Sequence, residues 1–359
     1  MQTITTIEDL RTLAQRRVPR MFYDYADSGS WTERTYRANE SDFAKILLRQ
    51  RVAVNMEGRT TATKMVGVDV SMPVAIAPTG MTGMQHADGE ILGAKAAEAF
   101  GIPFTLSTMS ICSIEDIAAN TTAPFWFQLY VMRDREFVAR LIDRARAAKC
   151  GALVLTLDLQ VLGQRHKDLK NGLSAPPKLT VPNIVNMMGK PRWCMGMLGT
   201  KRRQFDQSLS WADVEWVKQR WGGKLILKGI LDVEDAQLAV ASGADALIVS
   251  NHGGRQLDGA SSSIEALPAI VDAVGSQIEV HLDGGIRSGQ DVLKAWALGA
   301  RGTYIGRAFL YGLGAMGQAG VTRALEIIRN ELDLTMAFCG RTSIASVDRS
   351  ILLPGTFPT

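Results

Sequence analysis

The run Val249–Gly259, VSNHGGRQLDG, sets an imidazole and a guanidinium three residues apart at the end of an apolar stretch, with two glycines between them. Histidine ordinarily titrates near ~6.5, which suits it to move a proton at neutral pH. Arginine offers a planar fork that matches a carboxylate. His252 is therefore expected to act as a general base and Arg255 to hold an anionic substrate, the glycines clearing room for a ligand. Of the other three histidines, His281 lies inside a strand-like run and His86 and His166 fall in loops, so His252 is the candidate by elimination. Asp158, which closes ALVLTLD, is expected to accept from one ring nitrogen and to stabilise the imidazolium. The plainer alternative is a structural histidine beside a solvent-facing arginine.

A second group of residues points to an anion. DGGIRSG (283–289) and GRAF (306–309) put Asp283, Gly284, Gly285, Arg287, Gly306 and Arg307 where small residues and a helix start let backbone N–H groups reach a phosphate. Ordinary turn glycines with surface arginines are the alternative. Lys228 ends the run KLILKGI in otherwise apolar surroundings, and a lysine there is rarely buried without a partner. It can form a Schiff base, pair with a carboxylate, or hold its charge against a cofactor that becomes anionic; the residues alone leave all three open.

These groups share one kind of position, the end of a short apolar run. The runs are MPVAIAP (72–78), PFTLST (103–108), FWFQLY (125–130), ALVLTLD (152–158), KLILKGI (224–230), ALIVSN (246–251), EVHLDGG (279–285) and GTYIGR (302–307). Most are continuously apolar, as parallel strands covered on both faces are. Amphipathic helical patterns between them often open on Ser or Asp and close on Gly. Eight strands alternating with helices predict an α/β fold, a (β/α)8 TIM barrel, in which reactive groups gather at the C-terminal strand ends. Those ends also supply Pro78, Thr79, Gly80, Ser107, Gln128, Tyr130, Thr156 and Ser250.

The whole chain, 1–359, is read as one domain, with a helical segment over 1–65 packed outside the barrel. The 51 residues from Leu159 to Leu209 form an unusually long connection, where ~2–6 is common. It holds Met187, Met188, Trp193, Met195, Met197 and the cluster Lys201-Arg202-Arg203, and is expected to be a lid or docking loop.

Bulk numbers narrow the classes. A net charge of +4 without a basic stripe gives no ground for nucleic-acid binding. The four cysteines, Cys112, Cys150, Cys194 and Cys339, form no C-x-x-C pair, so neither a disulfide framework nor a metal site is expected. No secretory signal and no apolar run of ~20 residues is seen, so a spanning helix is not expected.

In order and spacing, YDYADSG, IAPTGM, LSTMS, FQLYV, LTLD, LKGI, SNHGGRQLDG, LDGGIRSG and YIGRAF closely resemble the FMN-dependent L-2-hydroxy-acid oxidases and dehydrogenases, the family of glycolate oxidase, L-lactate dehydrogenase and mandelate dehydrogenase. The likeness covers nearly the whole chain. It implies FMN at the barrel mouth, its phosphate held by Gly285, Arg287, Gly306 and Arg307 and its ribityl chain approached by Asp283. Pro78, Thr79, Gly80, Ser107, Gln128, Thr156 and Lys228 would meet the ring, with Ser250 nearby and Gly284 in the same turn. It gives Lys228 the role of stabilising negative charge on the reduced ring. Arg255 and Arg165 would bind the substrate carboxylate with Tyr25 assisting, Tyr130 would sit by the hydroxyl-bearing carbon, and His252 would be the base with Asp158 its partner.

Gly80 stands where oxidase members usually carry Ala, which implies a dehydrogenase passing electrons to a quinone or cytochrome, with an O2-using oxidase as the alternative. RWCMGMLGTKRRQFDQSLSW looks most like bacterial L-lactate dehydrogenases, so L-lactate is the expected substrate and mandelate the second choice. Family members usually carry a longer stretch at this point, so the loop reads as shortened at Arg203–Gln204. The resemblance further implies peripheral contact with the cytoplasmic side of the inner membrane, with a cytoplasmic protein whose loop is an ordinary lid as the alternative, and a homotetramer.

Overall fold

The computed structural model describes residues 3–173 and 205–358. The methionine- and tryptophan-rich stretch with Lys201, Arg202 and Arg203, and the shortened point at 203–204, lie outside them. All eight expected runs form strands: β3 Val74–Ile76, β4 Thr105–Ser107, β5 Trp126–Leu129, β6 Ala152–Thr156, β7 Leu225–Ile230, β8 Ala246–Val249, β9 Glu279–Asp283 and β10 Gly302–Ile305. Neighbouring strands pair in parallel in the order β3-β10-β9-β8-β7-β6-β5-β4. A parallel bridge from Ile76 to Phe104 joins the two edges and closes the cylinder. Closure explains the continuous apolar runs. One face of each strand meets the helices and the other fills the interior, where Ala75, Trp126, Val154, Ile226, Ile248 and Tyr304 pack together.

The N-terminal segment supplies three helices, α1 Ile7–Arg17, α2 Arg20–Ala26 and α3 Arg34–Lys45. Thr6 and Asp9 cap α1 reciprocally. The expectation of helices and loops through residue 65 fails at its end. Thr63–Met65 (β1) and Val68–Val70 (β2) form a small antiparallel hairpin. Its Met65, Val66 and Val70 join the interior cluster, and the Val66 N–H donates to Glu279 Oε2 at 2.8 Å at the start of β9. The hairpin therefore plugs the end of the barrel opposite the strand C-termini. Its β-forming residues are too few for a pattern, since the cross-barrel contact is what makes it a strand pair. The long connection also carries structure of its own, a short helix at His166–Lys170 and a bridge from Phe205 to Met132.

Arg307 opens the helix Arg307–Met316, which crosses Gln318–Phe338 at close range. A Cβ on Gly320 would fall on the Gly312 carbonyl, and one on Gly312 on the Gly320 carbonyl. Only glycine permits this approach, which seats the arginine at the mouth. Gly320→Ala is expected to cost about 1–3 kcal/mol by overpacking, read as a lower melting temperature; an unchanged melting curve would refute the crossing.

Candidate active site

Just past the end of β8 the chain turns through three consecutive left-handed residues, His252 (φ 58°), Gly253 (φ 67°) and Gly254 (φ 72°). This turn brings His252 Nδ1 to 2.9 Å from Asp158 Oδ1, which lies just past the end of β6. An ionised carboxylate only accepts, so Nδ1 carries the hydrogen and Nε2 keeps the lone pair. Burial pushes the imidazole below its ordinary range, and the Asp158 charge opposes that only in part. Burial alone would raise the Asp158 carboxyl, but His252 and Lys228 hold it below the usual carboxylate range. Asp158 Oδ2 is buried without a hydrogen-bond partner. The glycine of LKGI makes room for it: a Cβ on Gly229 would lie 2.7 Å from the Asp158 side chain.

The glycines beside the imidazole do not clear space for a ligand, and that expectation is corrected. A Cβ on Gly253 would meet Arg307 Nη1 at 2.8 Å, and one on Gly254 would strike the Tyr36 backbone. They admit neighbouring parts of the protein.

Along the strand ends runs a buried polar line. Ser107 Oγ donates to Gln128 Oε1 (3.1 Å), and Gln128 Nε2 donates to Thr156 Oγ1 (3.0 Å). Lys228 Nζ sits 2.7 Å from Asp283 Oδ2 and donates to Ser250 Oγ at 2.8 Å. Of the three roles open to Lys228, the carboxylate partnership is the one observed. Burial would lower its pKa, but Asp283 and Asp158 raise it, so the ammonium stays charged. Pro78, Thr79 and Gly80 follow β3, and a Cβ on Gly80 would come within 3.0 Å of Met109 Cβ.

The guanidinium groups are held mainly by carbonyls. Arg255 Nη1 donates to the carbonyls of Tyr25 and Ser28 and lies 3.2 Å from Ser28 Oγ; its carbon sits 4.7 Å from the centre of the Tyr25 ring. The Tyr25 ring face thus lies against the guanidinium. Arg255 Nη2 is buried with no hydrogen-bond partner, 3.9 Å from Asp168 Oδ2. Burial and the nearby Arg165 charge push the Arg255 pKa down to about 10. Arg165 Nε reaches the Arg255 carbonyl at 3.4 Å. Tyr130 is buried against Phe205, and burial together with Asp158 keeps its phenol protonated.

At the other side of the mouth, Arg307 donates to the Ala26 and Ser28 carbonyls at 3.1 and 2.8 Å. Gly306 precedes it with nothing nearer than 3.7 Å to an added Cβ, and no side chain caps that helix start. Gly284 and Gly285 have positive φ, and a Cβ on Gly285 would fall on the Asn39 carbonyl, so Gly285 serves packing against α3. Arg287 pairs with Glu40 at 2.7 Å.

Reading the sequence missed Ser28, whose carbonyl is shared by two arginines, and Gln256, whose amide donates to the Asp158 carbonyl at 2.6 Å. Neither carries a local signal, because both act through partners far along the chain. Among the described residues no cluster could hold a metal ion.

A closed parallel barrel whose mouth holds an imidazole–carboxylate dyad, a charged lysine and two arginines oriented mainly by carbonyls is equipped to bind anions and to move protons. The FMN-dependent dehydrogenase model matches residues 14–354, and the chain belongs to that family, whose cofactor is FMN. L-lactate dehydrogenase of Caulobacter vibrioides (strain NA1000 / CB15N) is 44% identical, the alignment covering 97% of each chain. That of Ectopseudomonas mendocina (strain ymp) is also 44% identical, over 98% of this chain and 99% of its own. Both alignments span 374 positions, more than the 359 residues here, so these relatives carry residues this chain lacks. A crystal structure of the monotopic membrane protein (S)-mandelate dehydrogenase superimposes with a TM-score of 0.93 at 36% identity, over 98% of this chain and 100% of that one.

The dyad gives a direct test. The His252 ring, followed by NMR, should titrate below ~6.5. In Asp158→Asn it should titrate lower still, because the carboxylate charge that favours the imidazolium is gone while burial remains. A rise in that variant would refute the assignment of causes.

Proposed function

We propose that this enzyme oxidises an L-2-hydroxy acid, L-lactate, to the 2-keto acid, and passes the electrons to a quinone or cytochrome. The observation that carries the reading is the buried Nη2 of Arg255, which has no hydrogen-bond partner, in the same mouth as the His252–Asp158 dyad. A buried guanidinium nitrogen with no hydrogen-bond partner, and with Asp168 no nearer than 3.9 Å, is a good place for a substrate carboxylate.

The residues present fit FMN. Gly306, Arg307 and Arg287, with the uncapped helix start, would hold its phosphate. Ser107, Gln128, Thr156, Lys228 and Ser250 would line its ring, with Pro78 and Thr79 opposite. When bound, FMN supplies the acceptor for the substrate's electron pair.

Arg255 and Arg165 bind the carboxylate, and Tyr130, a protonated phenol, offers a hydrogen bond at the hydroxyl side. His252 Nε2 accepts one proton from the substrate, and Asp158 steadies the imidazolium that results. Because burial lowers the His252 pKa, the base stays neutral and ready to lower pH than a free imidazole. Lys228, kept charged by Asp283, favours negative charge beside it.

Lactate rather than mandelate is supported by the 44% identity to L-lactate dehydrogenases against 36% to the mandelate enzyme. Gly80 supports an acceptor other than O2. Membrane contact is supported by the monotopic neighbour and by exposed Trp31, Val161, Leu162, Leu169 and Leu257 around the mouth loops. No helix among the described residues is long and apolar enough to cross a membrane.

Without oxygen, the yellow protein should bleach with L-lactate and not with D-lactate; no bleaching with any L-2-hydroxy acid would remove the assignment. His252→Gln should lower the reduction rate by ~10²–10⁴. In air, peroxide should form slowly compared with reduction of an artificial quinone, and fast peroxide release would make the enzyme an oxidase.

A further inference from the structure

Asp27 lies at the C-terminal end of α2, buried, and takes part in no step described above. Three tyrosine hydroxyls converge on it: Tyr36 (2.7 Å) and Tyr311 (2.6 Å) donate to Oδ1, and Tyr23 (2.8 Å) to Oδ2. Arg11 adds hydrogen bonds at 3.2 and 2.9 Å to Oδ2. Burial alone would raise this carboxyl, but the Tyr311 and Tyr36 hydroxyls and the Arg11 charge hold it well below the usual carboxylate range. The donors come from α1, α2, α3 and the helix Arg307–Met316, so one carboxylate fastens four elements.

What it fastens is a row of carbonyls. Those of Tyr25 and Ser28 receive Arg255, those of Ala26 and Ser28 receive Arg307, and that of Asp27 receives Lys167 Nζ at 3.0 Å. The Ser28 carbonyl is common to both arginines. The same tyrosines also carry the guanidiniums on their faces: Arg307 lies 4.4 Å from the Tyr36 ring centre and Arg287 5.8 Å from that of Tyr311.

We propose that Asp27 is a positioning residue that sets Arg255 and Arg307 together through the end of α2, so that the substrate's carboxylate and the cofactor's phosphate bind with linked affinities. This rests on the roles given above to Arg255 and Arg307. Linkage of this kind is reciprocal: fixing one arginine through the shared carbonyl lowers the cost of fixing the other.

The test uses the FMN-loaded enzyme and oxalate, a dicarboxylate that cannot be oxidised at a carbinol carbon, titrated through the flavin absorption spectrum. Asp27→Asn should weaken oxalate about tenfold and speed FMN release, followed by flavin fluorescence, to a similar degree, as expected for lost hydrogen bonds to a charged group. The rate of flavin reduction at saturating L-lactate should stay within about threefold, since the reacting groups are untouched. Tyr36→Phe, which removes one hydroxyl donor and keeps the ring under Arg307, should move both affinities the same way by less, and decides the question if Asp27→Asn does not fold. In an Arg255→Lys background, adding Asp27→Asn should weaken oxalate no further, because the effect runs through Arg255.

A drop in melting temperature with both affinities at wild-type values would overturn the proposal. So would additive losses in the double variant. If Arg255→Lys itself left oxalate binding unchanged, the assignment of Arg255 as the carboxylate residue would fall, and the linkage with it; Arg255→Lys weakening oxalate while Asp27→Asn and Tyr36→Phe do not would remove only the linkage.

Discussion

A guanidinium can be oriented without being neutralised. A carboxylate partner does both, and leaves little charge for a ligand; a carbonyl fixes direction through its dipole and leaves the positive charge in place. Arg255 and Arg307 are treated in the second way, by the carbonyls that finish α2. Everything else at the mouth follows from keeping those charges available. The nearest carboxylate to Arg255, Asp168, stops at 3.9 Å, while closer carboxylate pairs are made by His252, Lys228 and Arg287. For these residues the mouth separates two tasks, with carboxylates tuning His252 and Lys228 and main-chain oxygens orienting Arg255 and Arg307.

Much of this was legible in the sequence. Strand ends are marked by where an apolar run turns polar, so the fold's rule about where reactive groups gather picked out His252, Asp158 and Lys228. Local chemistry also suggested the dyad, because a histidine at a strand mouth needs a carboxylate to orient it. What failed to show was anything defined by an approach between distant segments. Gly253 and Gly254 look like room for a ligand until Arg307 and the Tyr36 backbone are seen against them. The hairpin Thr63–Val70 has too few residues to declare itself and exists because the barrel interior needs a stopper. Asp27 stood only inside the run YDYADSG with no role attached, since its tyrosine and arginine donors lie as far as 284 residues away.

The two ends of the cylinder differ accordingly. At the closed end Met65, Val66 and Val70 extend the apolar interior, and the one buried histidine there, His281, is satisfied by Tyr304 and Glu279. At the open end Arg255 and Asp158 each retain a buried polar atom without a partner. At the mouth, a bound ligand's own groups can meet atoms of this kind.

The supports for the two arginines come from residues 25–28, while the arginines themselves are 230 and 281 residues further along. During synthesis the cradle emerges first and waits for most of the chain. Strands β3 to β7 all precede both arginines in the chain. The shared seating of the two arginines on the Ser28 carbonyl is therefore a closing event of folding, available only once Arg307 has emerged and the last strand has met the first.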